Sequence, residues 1–198
     1  MKTAYLLCSF LLLTFTGCFR DIAVSTMGSI IDGGFEAFTS ESDLEFAEQA
    51  LPGNLKLLDV MLKNNPDNVR ILRIASEGYA SYALAFLEGK EDARARAFYL
   101  RARDYGLKIF RQDAVLAKAL DGTVDDLKTE LAKRDKDDVP GVFWSAFAWG
   151  SYIQLSISDP AALADLPRAE AMMEFVARVD SGYYYGGAHM FLGTLAGS

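Results

Sequence analysis

The amino-acid sequence predicts an all-α fold of stacked antiparallel helix pairs, and three observations support this prediction. Apolar side chains recur at helical spacing along most of the chain from Asp43 onward. No stretch alternates convincingly with the period of two that a half-buried strand would show. Short turn signals rich in glycine, proline and asparagine divide the periodic stretches into segments of helix length. We therefore assign helices and no sheet.

Composition and charge exclude several classes of protein. The chain has 198 residues, of which 51% are apolar and 24% charged, so it is neither disordered nor collagen-like. This length fits one domain or one short repeat array. The formal net charge of -7 disfavours nucleic acid as a partner, because nucleic-acid binding needs a basic surface.

The amino-terminal residues indicate export. Lys2 precedes the apolar run Ala4–Phe15, which is shorter than the roughly twenty residues that cross a bilayer. Residues 1–17 are therefore predicted to be a signal peptide, and Cys8 leaves with it. The mature chain then keeps a single cysteine and forms no internal disulfide, so packing alone must stabilise it.

The residues around Cys18 predict a lipid anchor. Thr16 and Gly17 directly before Cys18 resemble the lipobox of bacterial lipoproteins, which implies that this cysteine is lipidated and becomes the new amino terminus. Residues 18–42 are then a lipidated tether, and residues 43–198 form the helical domain. We expect a periplasm-facing lipoprotein of the cell envelope, and Phe19 after the cysteine resembles outer-membrane more than inner-membrane sorting.

Each helix of the domain has its own sequence signal. Before and after Pro52-Gly53, two short apolar patterns predict two antiparallel helices. A longer helix from Asn68 to about Glu88 and its returning partner follow, and their internal glycines Gly78 and Gly106 predict close helix contact. The polar stretch 111–140 predicts one amphipathic helix. Three further helices are predicted, opened by Asp138-Val139-Pro140, by Asp165-Leu166-Pro167 and by Tyr183.

Such helix pairs suit either a bundle or an α-solenoid. Trp149-Gly150 and Leu192-Gly193 resemble the Leu-Gly pair in the first helix of a tetratricopeptide repeat, and Asn65-Pro66-Asp67-Asn68 resembles its closing turn. The strict 34-residue period of that repeat is absent. These details favour a divergent tetratricopeptide-like solenoid with an insertion in the polar stretch.

Residues for catalysis or metal binding are scarce, whereas aromatic residues suggest a cleft. The chain has one histidine, His189, and Gly193 occupies the position where a second helical ligand would lie, so we predict no metal site, no cofactor and no catalytic activity. The aromatic residues exceed what a thin two-helix layer is expected to bury, which indicates a ligand or oligomer cleft. The candidate ligand-binding residues are Tyr79, Tyr82, Phe86, Trp144, Trp149, Tyr184 and His189.

Four stretches together resemble the T component of TRAP transporters, a family of tetratricopeptide-like lipoproteins. The stretches are Ala50-Leu51-Pro52 with Leu55 to Leu58, Pro66-Asp67-Asn68 with Gly78 to Phe86, Tyr99 to Leu107, and Phe143 to Gly150 followed by Leu166-Pro167 and Gly186 to Leu192. The resemblance covers about residues 40–198. It implies a non-enzymatic accessory protein that binds the solute-binding P component, takes a hydrophobic ligand in an apolar cavity and self-associates, for example as a homotrimer.

The resemblance also leaves two expectations open. Members of the family usually continue for several more helices, so we expect that Ser198 marks a truncation. The alternative function is a general tetratricopeptide scaffold lipoprotein, which would mediate protein–protein interactions in envelope assembly without a small ligand.

Overall fold

The structure, a computed structural model, describes residues 40–196. The predicted signal peptide, Cys18 and most of the predicted tether lie outside the described residues. The chain divides into two units, residues 1–47 and 48–198. Of the first unit the structure describes only residues 40–47, in which the Asp43 carboxylate accepts the backbone N–H of Phe46 at 3.0 Å.

A single helix, α1, runs over Leu44–Asn64. The expectation of two antiparallel helices separated at Pro52-Gly53 is therefore wrong. A proline inside a helix leaves the carbonyl four residues earlier without its N–H partner. That carbonyl belongs to Glu48, while Pro52 itself is exposed, and the Asn54 amide donates to the neighbouring Ala50 carbonyl at 3.0 Å. The helix then buries one continuous leucine stripe of Leu55, Leu58 and Leu62.

The predicted long helix and its returning partner are confirmed. Helix α2, Val69–Tyr82, begins at Asn68, whose side chain accepts a backbone N–H of the first turn at 3.1 Å. A wider π-helical turn, Ala83–Leu87, extends α2. Gly89, with a φ of 75°, lets the chain reverse, and α3 follows over Asp92–Phe110.

The polar insertion holds two short helices where the sequence predicted one. They are α4, Ala114–Asp121, and α5, Val124–Leu131. The Asp113 carboxylate accepts two backbone N–H groups of α4, while Thr123 and Asp126 form a reciprocal capping box at the start of α5. The expectation of a single helix in this stretch is therefore wrong at α4, which has the same length of eight residues as the predicted α5.

The three remaining helices lie where the sequence predicted them. They are α6, Val139–Gln154, α7, Leu166–Val179, and α8, Tyr183–Ala196. In the last of them, however, Tyr184, Tyr185 and Gly186 have positive φ, so its right-handed helix begins only after Gly186. A 3-10 turn, Lys136–Asp138, leads into α6, and a single helical turn, Pro160–Leu163, lies between α6 and α7. Proline stands in the first turn of both α6 and α7, where its missing N–H costs nothing.

The helices from α2 onward pack in a regular order. Helix α2 contacts α3 and α6, α3 contacts α6, α6 contacts α7 and α8, and α7 contacts α8. The insertion packs beside this series, with α4 against α5 and α5 against α7. A Cβ at Gly106 would lie 1.9 Å from the Ser145 Oγ, which confirms the close contact predicted for this glycine; Gly78 is buried in α2.

The all-α prediction is confirmed, since residues 40–196 contain helices and turns and no strand. Over the same residues, no helix combines the length and the apolar character that a bilayer crossing requires.

Candidate functional site

An open groove of about 400 Å³ lies between α2, α6 and α8. Each helix lines it with side chains three or four positions apart, which is the spacing of one helix face. Helix α2 and its π-helical turn supply Ser81, Leu84, Ala85 and Glu88, α6 supplies Phe143, Trp144, Phe147, Ser151 and Gln154, and α8 supplies Tyr184, Gly187, Met190, Phe191 and Thr194. The volume and the mainly apolar lining are those of a small-molecule site.

The three lining helices run in the same direction. Near the start of α8, the Tyr184 ring lies 4.7 Å from the Trp144 ring, and the Ser81 hydroxyl lies within hydrogen-bonding reach of Tyr184. Further along both helices, the Phe191 ring lies against Gly150, where a Cβ would stand 2.1 Å from it. Residue numbers on α6 and α8 therefore increase in the same direction along the groove, and Ser81 of α2 lies at the end where both begin. We call the end near Tyr184 the amino end and the opposite one the carboxyl end.

The carboxyl end of the groove is polar. The Tyr99 hydroxyl of α3 donates a short hydrogen bond to the Oε2 of Glu88. Burial raises the pKa of Tyr99, as does this bond to Glu88, while the nearby Ser151 hydroxyl acts to lower it. Gln154 adds an amide one turn beyond Ser151. These contacts fix the Glu88 carboxylate beside the groove.

The amino end of the groove has a strained rim. Tyr184 and Tyr185 have φ values of 45° and 59°, and Gly186 follows with 74°. A left-handed conformation costs a non-glycine residue about 1 to 2 kcal/mol, because its Cβ crowds the following carbonyl. This turn directs the Tyr184 ring into the groove, whereas Tyr185 is 92% exposed.

A buried carboxyl lies near this rim. Burial raises the pKa of Glu77 to about 7, although the charge of Arg73 opposes the shift. Burial, with the Glu77 charge as the next contribution, also raises the pKa of Tyr183 to about 12 and raises that of Tyr184. Glu77 thus titrates close to neutral pH beside the aromatic rim.

Three of the predicted ligand-binding residues lie in a helix–helix contact. Tyr79, Tyr82 and Phe86 are only 2%, 6% and 8% exposed. The rings of Tyr79 and Tyr82 lie 5.3 and 5.6 Å from Phe98 of α3, and Phe86 lies 5.2 Å from Tyr82. The expectation that the helix layers cannot bury these aromatics is wrong, because α3 covers them. None of the three lines the groove.

Tyr79 also takes part in a buried polar hub. Its hydroxyl donates to both oxygens of Asp59 at 3.0 Å, and the Tyr105 hydroxyl donates to Asp59 at 2.7 Å. Lys56 and Arg101 each lie 3.2 Å from the same carboxylate. This hub ties α1 to α2 and α3.

Trp149 lies on a second, more open cavity of about 610 Å³. Arg103 lies 5.6 Å above the Trp149 ring and pairs with Asp104 at 2.7 Å. Arg111 on the same wall pairs with Asp121 at 2.7 Å. Because both arginines already pair with carboxylates, they have little capacity left to bind a ligand in this cavity.

The remaining predictions divide between the groove and the surface. Trp144 and Tyr184 line the groove, whereas His189 is exposed on α8 and lines neither cavity. Glu88 and Ser151 were not among the predicted site residues. No local pattern marks Glu88 as a groove residue, and the choice of candidates followed aromatic character, which marks core and cleft alike.

The described residues offer no metal chemistry. Within residues 40–196, no group of three or more His, Cys, Asp and Glu side chains is placed to hold a metal ion. The groove itself supplies apolar walls, hydroxyls, an amide and one carboxylate.

Comparison with known proteins gives a family. A family model described as TRAP transporter T-component matches residues 40–198. This match covers the whole helical domain and more than half of the chain. A search of curated proteins finds no match.

Proposed function

Because the chain belongs to the T-component family of TRAP transporters, we propose that it docks the solute-binding P component at the periplasmic side and holds a hydrophobic molecule in its groove. Membership makes it an accessory component of a TRAP transporter, associated with the cell envelope. The observation that carries the ligand part of the proposal is the apolar groove between α2, α6 and α8, lined by Trp144 and Tyr184.

The order of helix packing supports a tetratricopeptide-like solenoid. In that architecture the first helices of successive pairs line the concave face, and each contacts the next first helix as well as its own partner. Helices α2, α6 and α8 contact one another in sequence, and each lines the groove. We propose that they are the first helices of divergent repeats, with α3 and α7 as the second helices.

A lipid anchor completes the proposal. Thr16-Gly17-Cys18 after an apolar leader supports lipidation at Cys18, and the outer membrane is the proposed location. Two or three acyl chains hold a protein stably at a membrane, whereas one does so only marginally. The tether would let the helical domain face the periplasm, where we propose that it self-associates as the family resemblance implies.

Co-purification with the cognate P component tests the docking role. The full chain is immobilised and offered the P component, with a solute-binding protein of an unrelated uptake system as the control. We expect retention of the P component and none of the control. Equal retention of both, or of neither, would contradict a specific docking role.

The scaffold alternative predicts a different outcome. A general envelope scaffold shares the same helix packing, so the fold does not separate the two roles. Retention of peptidoglycan or outer-membrane assembly proteins in place of the P component would favour the scaffold. The family match favours the transporter role.

A further inference from the structure

We propose that the groove selects an amphiphilic small molecule whose apolar chain ends in a cation, with Glu88 as the residue that recognises the charge. This inference rests on the proposed ligand-binding groove and deepens it. It assigns a chemical class to the ligand and a specificity role to a residue at the carboxyl end of the groove.

The charge of the lining carries the first step. Among the described residues that line the groove, Glu88 is the only acidic or basic residue of the Asp, Glu, Lys and Arg types. Arg96 belongs to the helix that carries Tyr99, but it donates to the carbonyl of Leu155 at 3.0 Å and does not line the groove. A carboxylate ligand would therefore meet a like charge and no cation, whereas an ammonium group would meet a partner.

The geometry of Glu88 carries the second step. Tyr99 donates to its Oε2, while its Oε1 accepts no hydrogen bond from the residues that the structure describes. A carboxylate held by one buried donor is oriented in advance and keeps one oxygen for a second donor. The Ser151 hydroxyl and the Gln154 amide lie at the same end and can accept from further N–H groups of a ligand.

The direction of the helices carries the third step. Helix α2 and its π-helical turn end at Leu87, directly before Glu88, so the carboxyl-terminal end of this helix lies at the carboxyl end of the groove. Each carboxyl-terminal helix end carries a partial negative charge, and this favours a nearby cation. The end of α2 and the Glu88 carboxylate thus act in the same sense, whereas the end of α6 already holds Arg96, which donates to the Leu155 carbonyl at 3.0 Å.

The apolar part of the ligand follows from the walls. The walls between the amino end of the groove and Glu88 carry no charge. They are formed by Phe143, Phe147, Met190 and Phe191. A volume of about 400 Å³ suits a small molecule and is too small for a folded partner. An apolar chain along these walls would place a terminal ammonium group beside Glu88.

Three probes of equal chain length test this inference. Octylamine, octan-1-ol and octanoate are titrated by calorimetry into the full chain held in a non-ionic amphipol, with amphipol alone as the background. We expect octylamine to bind about tenfold more tightly than octan-1-ol, as expected of a hydrogen bond to a charged group, and octanoate to bind most weakly. Equal affinities, tighter binding of octanoate, or no binding of any probe would overturn the inference.

Matched variants locate the effect. Glu88→Gln keeps an acceptor for Tyr99 and removes the charge, so it should bring octylamine to parity with octan-1-ol. Glu91→Gln removes an exposed carboxylate three residues away and should keep the preference. Ala85→Trp introduces a bulky ring at an exposed groove position and should abolish binding of all three probes. A preference unchanged by Glu88→Gln overturns the inference, and if that variant fails to fold, the wild-type comparison of probes still decides.

The outcomes separate this inference from the proposed function. Binding of octan-1-ol without preference for octylamine would remove the cation and leave a hydrophobic groove. If no probe binds, but Ala85→Trp abolishes retention of the P component, then the groove receives a protein segment and the small-molecule assignment is wrong. The P-component co-purification is read independently of all three probes.

Discussion

Gly106 of α3 lies directly against Ser145 of α6, so that a Cβ at residue 106 would stand 1.9 Å from the Ser145 Oγ, 2.9 Å from its Cβ and 3.1 Å from its Cα. Rotation of the hydroxyl cannot relieve the last two contacts. This contact joins the hairpin of α2 and α3 to α6, the middle of the three helices that line the groove, and it fixes the distance between α3 and α6.

We expect Gly106→Ala to lower the free energy of unfolding by about 1 to 2 kcal/mol. Alanine gains up to about 1 kcal/mol of helix propensity, but overpacking costs about 1 to 3 kcal/mol and can cost more when backbone must shift. Urea denaturation measures the difference. Combination with Ser145→Gly should recover part of the loss, because the two positions share one contact. Additive effects of the two changes would show that they do not interact.

Replacement of Asp59 by asparagine should lower the free energy of unfolding by about 1 to 3 kcal/mol, because it weakens a buried acceptor of charged hydrogen bonds. Burial acts to raise the pKa of Asp59, but hydrogen bonds from Tyr105, Lys56 and Tyr79 and the charge of Arg101 outweigh it and hold the pKa below 3.8.

The lowered pKa of Asp59 predicts that the folded state loses stability in acid. A lowered pKa in the folded state contributes stability that is present above about pH 4 and is lost as the pH falls through the folded value. The difference between wild type and Asp59→Asn should therefore shrink below pH 4. Asp104→Asn, in an exposed pair, is the control and should cost under about 1 kcal/mol. A constant difference from pH 3 to pH 7 would contradict the pKa assignment.

Glu77 should make the protein more stable at pH 5 than at pH 8. Its pKa is raised from 4.5 to about 7, so the folded state binds a proton that the unfolded state releases. The free energy of unfolding is then highest below pH 4.5, and it decreases by on the order of 2 kcal/mol as the pH rises towards 7.

Glu77→Gln should flatten this profile and stabilise the protein at pH 8, because the amide carries no charge into the buried site. Denaturation midpoints between pH 5 and pH 8 measure the slope. Glu91→Gln is the control, since its carboxylate is exposed and paired with Arg94. An identical slope in wild type and Glu77→Gln would assign the pH dependence to other groups.

Tyr185→Gly should raise the free energy of unfolding by about 1 kcal/mol relative to Tyr185→Ala. Both changes remove a ring that is 92% exposed, but glycine alone adopts a φ of 59° without crowding its Cβ. Thermal denaturation of the two variants isolates the backbone effect. A less stable glycine variant would mean that the left-handed turn at residues 184–186 is not strained.

Cys18→Ser should release the protein from membranes. Lipidation requires the thiol, so removal of the thiol removes the proposed anchor. Fractionation of cells that express each form measures the change, with Cys8→Ser as the control that keeps the lipobox. Unchanged membrane association of Cys18→Ser would overturn the predicted lipid anchor.

The amino-acid sequence by itself determined the all-α class, the starts of α6 and α7, and the close approach at Gly106. These features depend on local information: apolar spacing, a proline in a first turn and a glycine where a side chain is expected. The four quoted stretches likewise carried the family resemblance that the comparison with residues 40–198 then confirmed. A local signal misled at Pro52. The burial of the leucine stripe of α1 outweighs the helix break that this proline predicts.

The location of the groove was decided only by tertiary structure. Tyr79 and Trp144 are equally aromatic in sequence and both are buried, but Tyr79 packs against Phe98 of α3, whereas Trp144 packs against Tyr184 beside the groove. Glu88 carries no distinguishing local pattern, and its position depends on Tyr99 from another helix and on the shared direction of α2, α6 and α8. Which face of a helix stays open depends on what packs against the other faces, and that is a property of the whole fold.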